Sequence, residues 1–358
     1  MGRGDVGKTI AGKYELKGVL GEGGTGVVYD AVRKDDGKPV ALKVVHAELA
    51  GDQQVRGRFR REAAILERLG GPHICPILDH GEVPGDKTGR TTMYLAMARL
   101  EGPTLERLLE EEGSLLPVDR ALDLTLEVLS ALRAAHDQGV IHRDLKPANV
   151  ILEGRSKVVV VDFGMAKIVT GGGIGTTNLT THNMVFGTPE YMSPEQARGD
   201  DLDARCDVYA VGVILYELLT GKKPFTAPTA LGTLTAHLTS DLVPPSVLAP
   251  ARVTPALDAV VVSALARDRE DRYPSAAALA AAIERARAVP EDAIDAFAKT
   301  AEVAVPVLSP SGAPPPVVTP PPPAEAAPAP PREGPSWALV WVLVLVASVA
   351  IGVALAMR

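Results

Sequence analysis

Residues 142–164 read HRDLKPANVILEGRSKVVVVDFG. Within this stretch, Asp144 is an acid that can orient a hydroxyl group and accept its proton. Lys146 places a positive charge two residues later, where it can balance developing negative charge. Asn149 and Asp162 supply oxygen ligands of the kind that a hard cation such as Mg²⁺ prefers. An ordinary Asp-rich loop would not match all of these identities in this order, so the stretch predicts a site for phosphoryl transfer.

A glycine-rich string lies far upstream of this site. Residues 21–28 read GEGGTGVV and fit the pattern G-x-G-x-x-G-x-V. Glycines allow backbone N–H groups to approach phosphate oxygens without a Cβ atom in the way. The string alone is a weak signal, because dinucleotide-binding folds use a similar one. Here a strand pattern follows, and residues 40–43 then read VALK, so a phosphate-covering loop between strands is the favoured interpretation.

The lysine of that second string, Lys43, lies in an apolar run that predicts a strand. A lysine in such a place is usually an exposed edge residue, and a functional role requires an acid to hold it. Glu62 lies nineteen residues later, on the polar flank of a helical pattern over residues 59–69. An ion pair between Lys43 and Glu62 would position the lysine on the α- and β-phosphates of a nucleotide.

The apolar periodicity predicts an α+β fold with two lobes. Residues 14–97 read mainly as antiparallel strands with one helix, and residues 98–287 read mainly as helices. Residues 1–13 are rich in glycine and charge, and we expect a disordered leader there. Residues 2–9 match the Walker A pattern, but we do not interpret them as a nucleotide-binding site, because no strand precedes them.

The composition changes after the folded region. Residues 288–336 are rich in proline and alanine and predict a linker. Residues 337–357 carry no charge, and as a helix they would span about 32 Å, close to the hydrocarbon thickness of about 30 Å. They predict a single transmembrane helix. Small residues recur along it with four-residue spacing, which permits pairing into a homodimer, although such residues are common in these segments: Ser348, Gly352 and Ala356.

Charge and cysteine content narrow the class of protein further. The 358-residue chain has a formal net charge of −7, which argues against a nucleic-acid-binding protein. Its two cysteines, Cys75 and Cys206, lie far apart, with no CxxC pair. This usage fits a reducing compartment and predicts neither a disulfide framework nor a zinc site.

Together these strings resemble a eukaryotic-type protein kinase, and specifically the bacterial membrane-linked serine/threonine branch. Further strings that carry the resemblance are FRREA at 59–63, GTPEYMSPE at 187–195, DVY at 207–209 and DRY at 271–273. The resemblance implies the two-lobed kinase fold, with ATP in the cleft and Mg²⁺, or alternatively Mn²⁺, as the metal. It also implies unidentified protein substrates and a kinase domain on the cytoplasmic side of the membrane, with the C-terminus at the far face.

The resemblance assigns roles residue by residue. Lys146 and Thr188 point to serine and threonine as acceptors, Asp207 would brace the catalytic loop, and Glu195 would pair with Arg272. The implied catalytic residues are Lys43, Glu62, Asp144, Lys146 and Asn149, with Asn149 and Asp162 as metal ligands. The implied ATP-binding residues are Leu20, Gly21, Glu22, Gly23, Gly24, Thr25, Gly26, Val27, Val28, Ala41, Lys43, Met97, Ala98 and Leu100. Two departures from the family pattern are Ala98 in the hinge and Ser193 in the string at 187–195.

Arg143, directly before the catalytic acid, suggests a regulatory loop. A buried arginine is costly without an anion, and a phosphothreonine could supply one. We therefore hypothesise autophosphorylation at Thr180 or Thr181, with Arg60 and Arg61 assisting. The alternative is a variable loop whose threonines have no such role.

Three other functions remain to be weighed against an active kinase. A catalytically dead scaffold would be expected to lack at least one of the chemistry-bearing residues, and all of them are present. A membrane adaptor acting through the proline-rich linker could coexist with catalysis. A small-molecule phosphotransferase of related fold is disfavoured by residues 187–195, which suit a peptide.

Overall fold

The computed structural model describes residues 5–84, 91–112, 115–164 and 188–288. The chain divides into two units after Ala304, and every described residue lies in the first unit. Within that unit, a sheet-rich lobe is followed by a mainly helical lobe, which confirms the predicted two-lobed α+β architecture.

Several sequence predictions concern residues beyond these ranges. The candidate phosphosites Thr180 and Thr181 lie outside the described residues. So do the predicted membrane segment 337–357 and, except for its first residue, the predicted linker 288–336. In the part of the chain that is described, no helix is long and apolar enough to cross a bilayer.

The first lobe contains a six-stranded antiparallel sheet with the strand order β1-β2-β3-β4-β6-β5. Alternate residues of each strand face opposite sides of the sheet, so the lobe has two apolar faces to cover. The inner face packs against a helix and continues into the core of the second lobe. The strands are β1 Thr9–Ile10, β2 Tyr14–Gly23, β3 Gly26–Arg33, β4 Pro39–Val45, β5 Ile77–Val83 and β6 Thr92–Ala98.

The outer face of the sheet carries its own apolar cluster, which we call the outer core. The partly buried side chains of Ile10 and Ala11 pack against it. The outer core consists of Tyr14, Leu16, Val27, Tyr29, Ala31, Val40, Leu42, Val44, Tyr94 and Ala96.

The prediction of a disordered leader is wrong for residues 5–13. Strand β1 pairs with the start of β2, and the backbone N–H of Gly7 donates to the carbonyl of Leu16 at 2.8 Å. The N–H of Leu16 donates in turn to the carbonyl of Lys8 at 2.9 Å. The physical reason is that Ile10 and Ala11 pack against the outer core, and the burial of their apolar surface stabilises a segment whose composition is mainly polar.

Two helices lie on the inner side of the sheet-rich lobe, where the sequence predicted one. A single turn, α1 Ala47–Ala50, precedes the longer α2 Gln53–Leu66. The side chain of Asp52 accepts from the N–H groups of Gln54 and Val55 and so fixes the start of α2. Helix α2 therefore begins six residues before the periodic pattern at 59–69 and ends three residues before its end.

The second lobe is built around a helix that is buried on nearly every side. This helix, α6 Arg205–Thr220, packs against α4 Val118–His136, and its residues 208–219 are apolar except for Glu217. A short hairpin of β7 Val150–Glu153 and β8 Lys157–Val160 faces the sheet-rich lobe. The other α-helices within the described ranges are α3 Leu105–Glu112, α4 Val118–His136, α5 Pro194–Arg198, α7 Ala230–Thr239, α8 Pro245–Leu248, α9 Pro255–Ala264 and α10 Ala276–Arg287.

Candidate active site

The loop between α4 and β7 is held from below by Asp207, at the start of α6. Its buried carboxylate accepts from the backbone N–H groups of His142 and Arg143, at 2.8 and 2.9 Å, and from the Nε2–H of His136 at 2.8 Å. Burial raises the pKa of Asp207, but the hydrogen bond from His136 and the nearby imidazoles hold it below its usual value. The predicted bracing contact is therefore present in the structure.

The backbone of this loop is strained where it approaches the acid. Arg143 has a φ of 69°, in the left-handed region that disfavours a side chain. Its N–H is bound by Asp207 and its carbonyl accepts from Nε2 of Gln196 at 2.7 Å. Hydrogen bonds at both ends of the residue offset the conformational cost, as is common in functional loops.

Asp144, Lys146 and Thr188 form a contiguous polar group at the mouth of the cleft. The Nζ of Lys146 lies 3.2 Å from Oδ2 of Asp144 and donates to the hydroxyl of Thr188 at 2.8 Å. Thr188 is reached from a distant part of the chain, 42 residues after the lysine. The arrangement presents one carboxylate and one ammonium group at the point where the turn Pro189–Tyr191 begins.

The two candidate metal ligands lie beside this group. The Nδ2 of Asn149 donates to the carbonyl of Asp144 at 2.7 Å, so the amide oxygen remains available as a ligand. Asp162 has a φ of 63° and accepts from the Nζ of Lys43 at 2.8 Å. Burial raises the pKa of Asp162, but the charge and the hydrogen bond of Lys43, together with smaller effects of His142 and Lys146, hold it below its usual range. An ionised carboxylate and an amide oxygen fit Mg²⁺.

The described residues contain no group of three or more His, Cys, Asp or Glu side chains that could hold a metal ion. A cation bound by Asn149 and Asp162 would therefore take its remaining oxygen ligands from phosphate groups and water, which is the usual mode for Mg²⁺.

The predicted ion pair between Lys43 and Glu62 is not formed in the structure, which corrects the prediction. Among the described residues, the acid that pairs with Lys43 is Asp162, at 2.8 Å. Glu62 lies on α2 at a partly buried position and does not line the cleft cavity. Lys43 is 4% exposed and needs a carboxylate within reach, and Asp162 supplies it here.

A cavity of about 1120 Å³ separates the two lobes and brings the ATP-binding candidates together. Thirteen of those fourteen candidates line it, beside Asp144, Lys146, Asn149 and Asp162: Leu20, Gly21, Glu22, Gly23, Gly24, Thr25, Gly26, Val28, Ala41, Lys43, Met97, Ala98 and Leu100. Val27 is the exception, because its side chain does not line this cavity, and its predicted place among the ATP-binding residues is corrected. It is fully buried in the outer core, because neighbouring residues of a strand face opposite sides of the sheet.

The glycines of the β2–β3 hairpin are not equivalent. A Cβ atom on Gly26 would lie 2.2 Å from the carbonyl oxygen of Val44, so only glycine fits between β3 and β4. Cβ atoms on Gly21 and Gly23 would meet nothing within 4 Å. Gly26 therefore serves the fold, and the space over Gly21 and Gly23 suits the close approach of a phosphate group.

The cavity also has lining residues that the sequence did not single out, among them Cys75 and Ile151. Ile151 could have been found from the alternation of β7, since Val150 and Leu152 are buried and Ile151 faces the other way. A second, smaller cavity lies behind the first, and Cys75 and Met97 border both. Burial raises the pKa of the Cys75 thiol to about 12.

The segment after Thr188 is fixed from within the helical lobe. Ser193 caps α5 in a reciprocal pair with Gln196, which explains a serine at this departure from the family pattern. Glu195 forms two hydrogen bonds with Arg272, at 2.6 and 2.8 Å, between side chains that are 2% and 0% exposed. The predicted Glu195–Arg272 pair is therefore present.

Comparisons with known proteins agree with this geometry. Residues 14–282 match the family of the protein kinase domain. The chain is 43% identical over 284 residues to the serine/threonine-protein kinase pkn3 of Myxococcus xanthus, covering 78% of this chain and 51% of pkn3. It is 39% identical over 276 residues to the serine/threonine-protein kinase PknB of Mycobacterium tuberculosis, covering 77% and 43%. The chain thus spans about half, or less, of the length of these curated relatives.

Solved structures give the same result. The crystal structure of the Mycobacterium tuberculosis PknI kinase domain is similar, with a TM-score of 0.61 and 29% sequence identity. The similarity covers 78% of this chain and 98% of that one. The family match covers three quarters of the sequence and includes both lobes and the cleft. The chain belongs to the protein kinase domain family.

Proposed function

We propose that this chain is a serine/threonine protein kinase that transfers the γ-phosphate of ATP to hydroxyl groups of proteins. The observation that carries the proposal is the contact of Lys146 with both Asp144 and Thr188, at 3.2 and 2.8 Å. These contacts place a carboxylate beside a cation and leave it facing the cleft. The names of the curated relatives, which are serine/threonine-protein kinases, support the same assignment.

In the proposed reaction, the hydroxyl oxygen of a substrate serine or threonine bonds to the γ-phosphorus of ATP, and Asp144 accepts the proton of that hydroxyl. The bond between that phosphorus and the leaving oxygen of ADP breaks in the same step. Lys146 stabilises the negative charge on the transferred group, because its ammonium lies next to the acceptor position. Thr188 orients Lys146 through the hydrogen bond to its hydroxyl.

The cleft residues fit the cosubstrate and metal that the family uses. Leu20, Val28 and Ala41 line the part of the cavity where an adenine would be enclosed, with Met97 at its back. The backbone around Gly21 and Gly23 would cover the phosphates. Asn149 and Asp162 would hold Mg²⁺, or alternatively Mn²⁺, which supplies charge neutralisation at the phosphate oxygens.

The proposal is tested by incubating the purified full chain with labelled ATP, Mg²⁺ and a generic protein substrate. Asp144→Asn is expected to lower phosphate incorporation by about 100-fold or more, because it removes the proton acceptor while preserving shape. Asp137→Asn is the matched control, since that side chain is 72% exposed at the end of α4. Equal incorporation by wild type and Asp144→Asn, or label on tyrosine alone, would refute the assignment.

We also propose that the kinase autophosphorylates at Thr180 or Thr181. The support is Arg143, a cation directly before the catalytic acid in the chain that also lines the cleft cavity, where a phosphothreonine could pair with it. Replacing both threonines with alanine is expected to remove label from this segment and to lower activity toward other proteins. Undiminished activity of the double variant would contradict the proposal.

Membrane attachment through residues 337–357 is a further proposal, which rests on the uncharged run in the sequence. In this arrangement the kinase domain lies on the ATP-containing side and the C-terminus at the far face. We further propose that the small residues of this segment pair two copies into a homodimer. The separate proposal that the chain does not bind nucleic acid rests on its net charge of −7. The full chain is expected to stay with membranes after alkaline carbonate washing, and a variant ending at residue 336 is expected to be released. Release of both would count against the anchor.

A further inference from the structure

His46 follows strand β4 directly, and its side chain turns back toward the tip of the β2–β3 hairpin. The Nε2 of its ring lies 2.8 Å from the carbonyl oxygen of Gly23, the last residue of β2. Its backbone N–H donates to the carbonyl of Thr25 at 3.2 Å. Strand β3 begins at Gly26, so the tip of the hairpin is residues 24–25. His46 therefore binds this tip through both its side chain and its backbone.

The contact with Gly23 determines the role of the ring nitrogen. A carbonyl oxygen only accepts hydrogen bonds, so Nε2 of His46 carries the hydrogen and donates it. His46 is also the residue that precedes helix α1, where a side chain could accept from the first N–H groups of the helix. It makes no such capping bond. The ring is thus used by the hairpin and not by the helix that follows.

Packing in the core does not account for this histidine. Two histidines of the helical lobe, His142 and His237, are 0% exposed, and burial lowers the pKa of His237 to about 4. His46 is only partly buried, so its ring removes less apolar surface from water than a core residue does. The directed bond to a backbone carbonyl is therefore the main effect of a histidine at this position.

The bond to Gly23 also orients the next peptide group, which joins Gly23 to Gly24. This group is planar and trans, so the C=O of Gly23 and the N–H of Gly24 point in opposite directions. Since the C=O is directed at His46, the N–H of Gly24 is directed away from it. Gly24 lines the cleft cavity and His46 does not. Among the turns and loops that the structure describes, no backbone carbonyl accepts from this N–H.

A peptide group between two glycines needs an external contact to hold one orientation. Neither residue has a Cβ atom, so both have wide freedom of rotation in the backbone. A backbone N–H that must bind a phosphate oxygen is most effective when its direction is fixed before the ligand arrives, because ordering it afterwards reduces the affinity. His46 supplies this fixed direction from the end of β4.

We propose that His46 is a positioning residue for the phosphates of ATP, which binds the carbonyl of Gly23 and so directs the N–H of Gly24 toward the phosphate groups. The inference rests on the proposed function, in which this hairpin covers ATP, and it adds a residue that lies outside the cleft cavity. Adenosine has no phosphate and would not use this donor. The contribution of His46 is therefore specific to the phosphate part of the ligand.

The experiment compares three substitutions in the full chain. His46→Phe keeps a ring and removes both nitrogens, His46→Gln places an amide near the Nε2 position, and His46→Asn places one near the Nδ1 position. Dissociation constants are measured by calorimetry for a non-hydrolysable ATP analogue with Mg²⁺ and for adenosine. His46→Phe is expected to weaken binding of the analogue about three- to tenfold, the effect of losing one hydrogen bond. Adenosine binding is expected to stay within about twofold of wild type.

The two amide variants make the test specific to the bond with Gly23. His46→Gln is expected to recover more of the analogue affinity than His46→Asn, because the longer side chain can reach the carbonyl. Equal weakening of analogue and adenosine binding in His46→Phe would overturn the proposal. Better rescue by asparagine than by glutamine would also overturn it.

A second measurement needs neither ligand nor catalysis. Amide hydrogen exchange over residues 21–26 is expected to be faster in His46→Phe than in wild type. The matched control is His73→Phe, which removes a ring–carbonyl contact of the same length, 2.8 Å to Val158, and is expected to leave exchange in the hairpin unchanged. Unchanged exchange over 21–26 in His46→Phe would overturn the inference. If wild type binds the analogue but phosphorylates no serine or threonine, the proposed function fails, and both measurements still decide the role of His46.

Discussion

The side-chain nitrogen of Lys43 lies 2.8 Å from a carboxylate oxygen of Asp162, which is 119 residues later in the chain. The pair joins β4 of the sheet-rich lobe to the loop after β8, across the cavity that the lobes enclose. This ion pair therefore fixes the position of Lys43, which would contact nucleotide phosphates, relative to Asp162, a candidate metal ligand. Phosphate, metal and lysine would meet at the same point.

Lys43→Met is predicted to abolish phosphoryl transfer, with a loss of about 100-fold or more in kcat/KM. The variant removes a charge that would contact phosphate and leaves the Asp162 carboxylate without its partner. Steady-state kinetics and a thermal melt, compared with Lys38→Met on the exposed β3–β4 turn, separate these effects. Retention of full activity would show that the Lys43–Asp162 pair has no part in catalysis.

Two glycines of the β2–β3 hairpin are predicted to have different roles: Gly26 is needed for folding, and Gly23 is needed for ATP binding. Gly26→Ala places a Cβ atom 2.2 Å from the Val44 carbonyl oxygen, which should lower the free energy of unfolding by about 1–3 kcal/mol. Gly23→Ala meets no atom within 4 Å and should leave stability unchanged while raising the ATP KM. Thermal melts together with ATP titrations check both halves, and equal melts for the two variants would contradict the distinction.

The buried ion pair of Glu195 and Arg272 is predicted to be worth far more than an exposed pair. Glu195→Gln leaves the guanidinium, whose side chain is 0% exposed, without its charged partner, and should cost about 3–5 kcal/mol. Asp200→Asn breaks the pair with Arg198, whose side chains are 49% and 47% exposed, and should cost less than about 1 kcal/mol. Urea unfolding of both variants provides the comparison, and similar costs would contradict the prediction.

Acid is predicted to weaken the fold through His237. Its pKa falls from 6.5 in the unfolded chain to about 4 in the folded one, so the unfolded state binds more protons between these values. The free energy of unfolding therefore decreases as pH falls from 6.5 toward 4, by about 2 kcal/mol between pH 7 and pH 5. Urea unfolding at the two pH values checks this, and His237→Gln should show a shallower dependence. An equally steep loss in His237→Gln would assign the effect to other groups.

Asp79 is predicted to stabilise the outer core through three donors. Its Oδ2 accepts from Lys13 at 3.0 Å and from the hydroxyls of Tyr14 and Tyr94 at 2.8 and 3.1 Å. Asp79→Ala leaves two buried hydroxyls without this acceptor and should cost about 2 kcal/mol or more in chemical denaturation. Adding Tyr14→Phe to Asp79→Ala is expected to recover part of the loss, and a further loss would contradict the explanation.

The catalytic string and both lobes could be predicted because their signals are local. Asp144, Lys146 and Asn149 lie within six residues of one another, and residues 208–219 of α6 are apolar except for Glu217. Val27 was misassigned for a reason that is also local. The string G-x-G-x-x-G-x-V was applied as a block, although strand alternation turns Val27 and Val28 to opposite faces.

The remaining differences depend on contacts that no local pattern encodes. The partner of Lys43 is chosen by the closeness of two lobes, so spacing along the chain could not separate Glu62 from Asp162. Residues 5–13 carry charge and glycine, and they are ordered only because the outer core offers them a surface. The capping role of Ser193 lies between these cases, since a serine three residues before Gln196 is a recognisable helix start.

The shared wall of the two cavities has a consequence for chemical inhibition. Met97 and Cys75 border both spaces, so an inhibitor seated in the larger one can reach both a thioether and a thiol. With a pKa of about 12 that thiol stays protonated, and an electrophilic warhead would react with it slowly. Selectivity at this wall is better sought from polarizable groups that contact sulfur reversibly, a route for which Cys75 and Met97 together provide two adjoining sulfur-bearing side chains.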